Sequence, residues 1–69
     1  MYQSIKDLPI VCQLNLPEPA LKLYRAAFNR AYLRIRSDAK SRYLAAQNRA
    51  WVEVRKHFAR DPLGRWTPR

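Results

Sequence analysis

The chain has 69 residues, enough for one small domain of marginal stability, and its 48% content of apolar residues argues against a disordered protein. Fourteen Lys and Arg against five Asp and Glu give a net charge of +9. Residues 1–21 contain one basic and two acidic residues, so residues 22–69 carry thirteen basic against three acidic, a net +10. This excess indicates a negatively charged partner, namely nucleic acid, an acidic protein surface or anionic lipid.

The single cysteine, Cys12, excludes an internal disulfide and a thiolate zinc cluster. A buried, chemically inert thiol is the favoured interpretation, and intermolecular chemistry is the alternative. No apolar run approaches the roughly 20 residues of a membrane span, and the first residues lack the pattern of a signal peptide. We therefore expect an intracellular, non-secreted protein without membrane insertion, in a reducing compartment.

The N-terminal part of the chain predicts a lead-in and one short helix. Residues 1–6 have no clear period and are expected to be extended. Asp7 can cap free helix amides, and Pro9 is tolerated in a first turn where its missing N–H costs little. A helix over residues 8–13 is therefore expected. Its core-facing residues would be Leu8, Val11 and Cys12.

The clearest helical period lies in a second predicted helix over residues 17–36. Both Pro17 and Pro19 fall within its first turn, and Glu18 there suits the positive end of the helix dipole. The helix has two faces of different character. The apolar face is formed by Leu21, Tyr24, Ala27, Phe28, Ala31 and Ile35. The opposite face carries Lys22, Arg25, Asn29 and Arg36.

The polar pair Ser37 and Asp38 predicts a break between the second helix and a third helix over residues 38–60, because both residues favour helix caps. One continuous helix over residues 17–60 is the alternative, since the connection contains neither glycine nor proline. The hairpin is favoured because it buries two aromatic faces that a lone helix would leave in water.

The predicted fold is a small single all-α domain. It has a short N-terminal helix, two longer amphipathic helices packed as a hairpin, and a C-terminal tryptophan tail that folds back after Pro62 and Gly64 end the third helix. A base-stacking platform is the alternative role for its aromatic residues, although helical spacing favours a core. The predicted core consists of Tyr24, Phe28, Tyr43, Trp51, Val54, Phe58 and Trp66.

No group of residues in the sequence points to catalysis or metal binding. His57 is the only histidine and has no paired carboxylate or nucleophile, and the serines lack a base at any readable spacing. One cysteine, one histidine and five scattered acids do not form a set of metal ligands. We expect no enzyme activity, no metal, no cofactor and no small-molecule substrate.

Arginine accounts for ten of the fourteen basic residues, and its planar fork suits phosphate and carboxylate. A merely solvated face would contain more acid, although a solubilising role is an alternative. Without a zinc finger, RNP motif or helix-turn-helix signature, we predict contact with DNA or another polyanion without base reading; an acidic protein surface is the rival partner. The predicted polyanion-binding residues are Lys22, Arg25, Arg36, Arg42, Arg49, Lys56 and Arg60.

Several short motifs occur in a fixed order along most of the chain. Asp-Leu-Pro at residues 7–9 and Leu-Pro at residues 16–17 precede YRAAFN at residues 24–29, and Ala50-Trp51 precedes Gly64 and Trp66. This order and spacing resemble the ChaB family. The resemblance covers a helical domain of residues 7–66, between the lead-in of residues 1–6 and a tail of residues 67–69.

The resemblance implies a small, mainly helical protein. Bacterial members of the family are labelled cation transport regulators, and for similar baculovirus proteins DNA association and a place in the virion have been proposed. The short charged connection of residues 37–41 and the arginine excess favour the viral branch. We therefore predict a DNA-associated or structural accessory component of a viral nucleocapsid-type assembly, in the virion and host nucleus, in contact with other proteins of that assembly.

The alternative function is a regulator of a membrane cation transporter that acts through protein–protein contact, with a cytoplasmic location in bacteria. Asn29, within the YRAAFN motif, has two open interpretations. It can contact a partner, or its amide can bond back to a helix or loop of the same chain.

Overall fold

A computed structural model describes residues 1–69, which form three α-helices and two short strands. A single turn of 3-10 helix at Ile5–Asp7 precedes the first α-helix. The elements are α1 (Ile10–Asn15), α2 (Glu18–Arg34), α3 (Ala39–His57), β1 (Phe58–Arg60) and β2 (Trp66–Pro68). The predicted small helical domain is therefore present, but the fold is not all-α.

The connection between α2 and α3 is a true break rather than part of one continuous helix. Ile35 leaves helical geometry with ψ of 127° and ends α2, while Asp38 has ψ of 163° and precedes α3. The Asp38 carboxylate accepts hydrogen bonds from the Ser41 backbone N–H at 3.0 Å and the Ser41 hydroxyl at 3.1 Å. Because these bonds satisfy amides that have no intrahelical partner, a new helix begins at Ala39.

The core lies mainly between α2 and α3, with residues of α1 and β1 closing it. Small side chains at Ala27, Ala46 and Ala50 are completely buried and let the two long helices approach closely. Larger side chains fill the space on either side of this contact. The buried residues are Leu8, Cys12, Leu16, Ala20, Leu21, Tyr24, Ala27, Phe28, Ala46, Ala50, Val54 and Phe58.

The first helix differs from its prediction in position and in one core residue. It begins at Ile10, and Asp7 lies in the preceding 3-10 turn rather than at its N-cap. Leu8 and Cys12 are buried as expected, whereas Val11 is 54% exposed. A helix of six residues presents one narrow face to the core, and Val11 lies about 100° from Cys12 on that helix.

The C-terminal residues form a small antiparallel hairpin that the sequence did not predict. The third helix ends at His57, and β1 pairs with β2 with Phe58 opposite Pro68 and Arg60 opposite Trp66. Gly64 in the turn has φ of 85°, a conformation that glycine adopts without steric cost. Trp66 does fold back as expected, with its ring centroid 5.9 Å from that of Trp51.

Candidate functional site

The predicted aromatic core divides into buried residues and residues at its edge. Trp51 and Trp66 are half-buried and pack against the core. Tyr43 is 38% exposed and lies at the surface, where its ring packs edge to face with that of Phe28 at a centroid distance of 5.3 Å. Its hydroxyl forms a 2.7 Å hydrogen bond with that of Tyr2. Tyr43 is near the start of α3, beyond the most tightly packed part of the helix pair. The remaining predicted core residues, Tyr24, Phe28, Val54 and Phe58, are buried.

Arg25, one of the predicted polyanion contacts, is used inside the fold. Its Nε donates to the Tyr2 carbonyl oxygen at 3.1 Å and its Nη2 donates to the Gln3 carbonyl oxygen at 2.7 Å. These bonds attach the first residues of the chain to α2. The guanidinium therefore satisfies backbone oxygens of the lead-in instead of facing a partner.

Arg42 is likewise committed to an internal contact, between the two long helices. Its Nε donates to the Tyr32 carbonyl oxygen at 2.6 Å, and its guanidinium carbon lies 4.0 Å from the centroid of the Tyr32 ring. This arrangement combines a charge-assisted hydrogen bond near the end of α2 with a cation–π contact. Arg42 thus holds the end of α2 against α3.

The other predicted basic contacts are spread over several elements of the fold. Lys22 pairs with Glu18 at 3.6 Å and Lys56 pairs with Glu53 at 3.3 Å, in exposed contacts on different helices. Exposed pairs of this kind contribute little to stability, but they offset the local positive charge. Of the predicted contacts, three are exposed and form no side-chain hydrogen bond or ion pair, namely Arg36, Arg49 and Arg60.

A groove along one side of the α2–α3 pair contains the main convergence of unpaired charge. Its volume is about 540 Å³, and Arg30, Arg34 and Arg49 line it together with Glu53. Glu53 has a pKa lowered first by its hydrogen bond from Lys56 and then by the nearby positive charges of Arg49 and Arg30. The apolar residues of the groove are Ala27, Ala31, Ile35 and Ala45.

Only one of the groove arginines, Arg49, was predicted from the sequence. Arg30 and Arg34 were missed because they lie on the other flank of the apolar stripe from the predicted basic residues, which group around Arg25 on the helical projection. Their spacing of four is the signal that was available, because residues four apart lie on the same side of a helix. Their convergence with Arg49 depends on how the two helices pack.

Two buried polar groups, the Cys12 thiol and the Tyr24 hydroxyl, lie beside each other in the core. Cys12 is a free, buried thiol whose pKa is raised by removal from water. The Tyr24 hydroxyl beside it is buried without an oxygen or nitrogen partner, and burial raises its pKa.

No cluster of three or more histidine, cysteine, aspartate or glutamate side chains is present that could hold a metal ion. No helix combines the length and the apolar character needed to cross a bilayer.

The similarity to known proteins extends over the whole molecule. The family model for ChaB matches residues 8–69. The chain belongs to the ChaB family. The structure is also similar to a solution NMR structure of ChaB, a protein with a proposed role as a cation transport regulator, with a TM-score of 0.87 and 30% sequence identity. That similarity covers 100% of this chain and 99% of the other, while no protein with a curated description matches.

Membership of the ChaB family corrects the predicted function. The prediction of a viral nucleocapsid component that binds DNA or another polyanion is wrong, because the chain belongs to the ChaB family and the similar ChaB structure is that of a proposed cation transport regulator. A location in the virion or host nucleus, and a specific likeness to baculovirus proteins, are unsupported. The arginine excess was misleading since Arg25 and Arg42 of this ChaB-family chain serve the fold itself.

Proposed function

We propose that this ChaB-family chain is a non-enzymatic regulator of a membrane cation transporter and acts by protein–protein contact. The observation that carries this proposal is the similarity over the full length, at 30% identity and a TM-score of 0.87, to a protein described as a proposed cation transport regulator. The match includes the helix pair, its connection and the C-terminal hairpin. A shared scaffold of this extent supports a shared mode of action.

The surface of the chain supports contact with another protein. The first helix exposes Ile10, Val11 and Leu14, which leaves an apolar patch unpartnered. The groove between α2 and α3 combines apolar and charged residues, as protein interfaces do. No cluster of side chains that could hold a metal ion is present, and regulation through binding is the mechanism that these surfaces support.

We also propose that the protein acts inside the cell. Cys12 is the single cysteine, it is buried, and its thiol is free. A small domain that relies on packing rather than on disulfides is typical of a reducing compartment. Contact with a transporter would then be made at a part of the transporter that faces the cytoplasm.

The proposal can be tested with everted membrane vesicles prepared from the source cells. The purified full chain is added to the outside of the vesicles, and cation-driven proton exchange is followed with a pH-sensitive dye. We expect the rate to change with a saturable dependence on protein concentration. The control is Val54→Asp, which places a carboxylate in the core and should unfold the chain. A rate that is identical with and without the folded chain would refute a direct regulatory role.

A further inference from the structure

We propose that the groove lined by Arg30, Arg34 and Arg49 binds an acidic segment of a partner protein, with carboxylates on the guanidiniums and small apolar side chains on the groove floor. This inference rests on the proposed function for the identity of the partner as a transporter. The binding itself is argued from the groove alone. Neither the family description nor the similar structure assigns a role to these residues.

The three arginines are unpaired and line the same groove, which sets them apart from Arg25 and Arg42. Arg25 and Arg42 donate to backbone oxygens, whereas Arg30, Arg34 and Arg49 form no side-chain hydrogen bond and no ion pair. Like charges four residues apart on a helix repel each other, and Glu53 is the single carboxylate that lines the groove with the three arginines. A carboxylate-bearing ligand would relieve the repulsion and satisfy donors that point into a concave surface.

The composition of the groove favours a peptide over a nucleic acid. Its apolar lining includes Ala27, Ala31 and Ile35, which offer apolar contact and no aromatic ring for base stacking. Glu53 also lines the groove, and a peptide can place a neutral or basic side chain beside it, whereas a nucleic acid carries a negative charge at every phosphate. A segment with both acidic and small apolar side chains therefore complements the groove best.

The dimensions of the groove indicate the spacing of the ligand's acidic residues. Its lining extends from Ala27 on α2 to Ile35 directly after that helix, and on α3 from Ala45 to Glu53. Eight residues of helix correspond to about 12 Å, or a little over two turns. Arg30 and Arg34 are separated by one turn, about 6 Å, which matches two carboxylates spaced four residues apart on a partner helix.

A synthetic peptide of about 15 residues provides the probe, with glutamate at every fourth position and alanine or leucine between. It is titrated into the full-length isotope-labelled chain at about 0.15 M salt, and the arginine side-chain and backbone resonances are followed by NMR. We expect saturable changes in chemical shift that are centred on the groove-lining residues of α2 and α3. The same peptide with glutamine in place of glutamate should bind about tenfold more weakly or not at all.

Two triple variants separate groove binding from general attraction to a basic protein. The groove variant is Arg30→Gln, Arg34→Gln and Arg49→Gln. The matched control is Lys40→Gln, Arg55→Gln and Arg60→Gln, which removes the same charge from exposed side chains that form no hydrogen bond. We expect the groove variant to weaken peptide binding about tenfold and the control to change it by less than about twofold.

Two results would overturn the proposal. One is an equal loss of affinity in the two triple variants, which would show diffuse electrostatic attraction. The other is tighter binding of a DNA duplex at the same resonances, which would show that the groove takes phosphates. The test is distinct from that of the proposed function because it uses no transporter. Peptide binding without an effect on vesicle exchange would refute the regulatory role and leave the groove intact as a peptide site.

Discussion

The side-chain amide of Asn29 forms two hydrogen bonds with the backbone of Tyr2, 27 positions away. Asn29 Oδ1 accepts from the Tyr2 N–H at 2.9 Å, and Asn29 Nδ2 donates to the Tyr2 carbonyl oxygen at 2.8 Å. This contact places the Tyr2 ring 4.8 Å from that of Phe28. Of the two interpretations left open by the sequence, the structure shows the amide bonding back to its own chain.

Replacing Asn29 with alanine is expected to destabilise the chain by about 1–3 kcal/mol, since each of the two lost hydrogen bonds contributes about 1 kcal/mol. Urea denaturation followed by circular dichroism measures the change. Asn48→Ala is the control because Asn48 is exposed on α3 and its side chain forms no hydrogen bond. Equal stabilities of the two variants would contradict a structural role for Asn29.

Phe28→Ala should be the most destabilising of the aromatic truncations, with a loss of about 3–5 kcal/mol. Phe28 is buried and its ring contacts those of Tyr2, Tyr24, Tyr32 and Tyr43. Tyr43→Ala, at the exposed edge of the same cluster, is the comparison and should cost clearly less. If Phe28→Ala does not fold, Phe28→Leu is compared with the matched change Tyr43→Leu, and the same ranking is expected. A larger loss for the Tyr43 variant than for the matched Phe28 variant would mean that the core is wrongly placed.

The N-cap of α3 predicts a dependence of stability on pH. Hydrogen bonds from the Ser41 backbone N–H and hydroxyl lower the pKa of the Asp38 carboxyl. The folded state therefore holds the charged form more strongly than the unfolded state, whose Asp pKa is about 3.9. The stabilisation is present above that value and is lost as the pH falls below it through the lower folded pKa.

Asp38→Asn tests this dependence, because asparagine also caps helices but does not titrate. The thermal midpoint of the original chain should fall more steeply than that of the variant between about pH 5 and pH 2. Asp61, whose pKa is also lowered, first by a hydrogen bond from the Arg65 backbone N–H, titrates equally in both proteins. Parallel curves would show that Asp38 contributes nothing to the acid sensitivity.

Gly64→Ala should open the C-terminal hairpin while leaving the helix pair folded. The φ of 85° costs about 1 kcal/mol for a residue with a Cβ atom. The new methyl would lie at an ordinary distance of 3.6 Å from Arg60, so strain in the backbone is the cause rather than a clash. Amide exchange at Asp61 and Arg69, which bond to Arg65 and His57, should quicken about fivefold.

Leu63→Ala in the same turn is the control for this hairpin prediction, since the leucine side chain is exposed and not needed for the backbone conformation. Its exchange rates at Asp61 and Arg69 should match those of the original chain. Faster exchange in the Leu63 variant than in the Gly64 variant would place the stability of the hairpin in side-chain packing instead.

Much of the helical architecture was predictable because its signals are local. The prolines at positions 17 and 19 mark the start of α2, and Asp38 marks the start of α3, since capping depends on neighbouring residues. The period of Tyr24, Phe28 and Val54 identified core faces that the structure buries. The motifs along residues 7–66 were also sufficient to indicate the ChaB family.

The C-terminal hairpin and the roles of the arginines were decided by tertiary structure. Phe58 continues the helical period of α3. It nevertheless begins a strand, because the turn between β1 and β2 places Pro68 opposite it in the antiparallel pair. Arg25 and Arg30 are both arginines of α2, and the sequence does not distinguish their roles. In the structure Arg25 donates a hydrogen bond to the Tyr2 carbonyl oxygen, whereas Arg30 lines the groove. The sequence alone shows which residues are basic. Which of them stay unpaired depends on the crossing of α2 and α3 and on where the lead-in lies, both of which are long-range contacts.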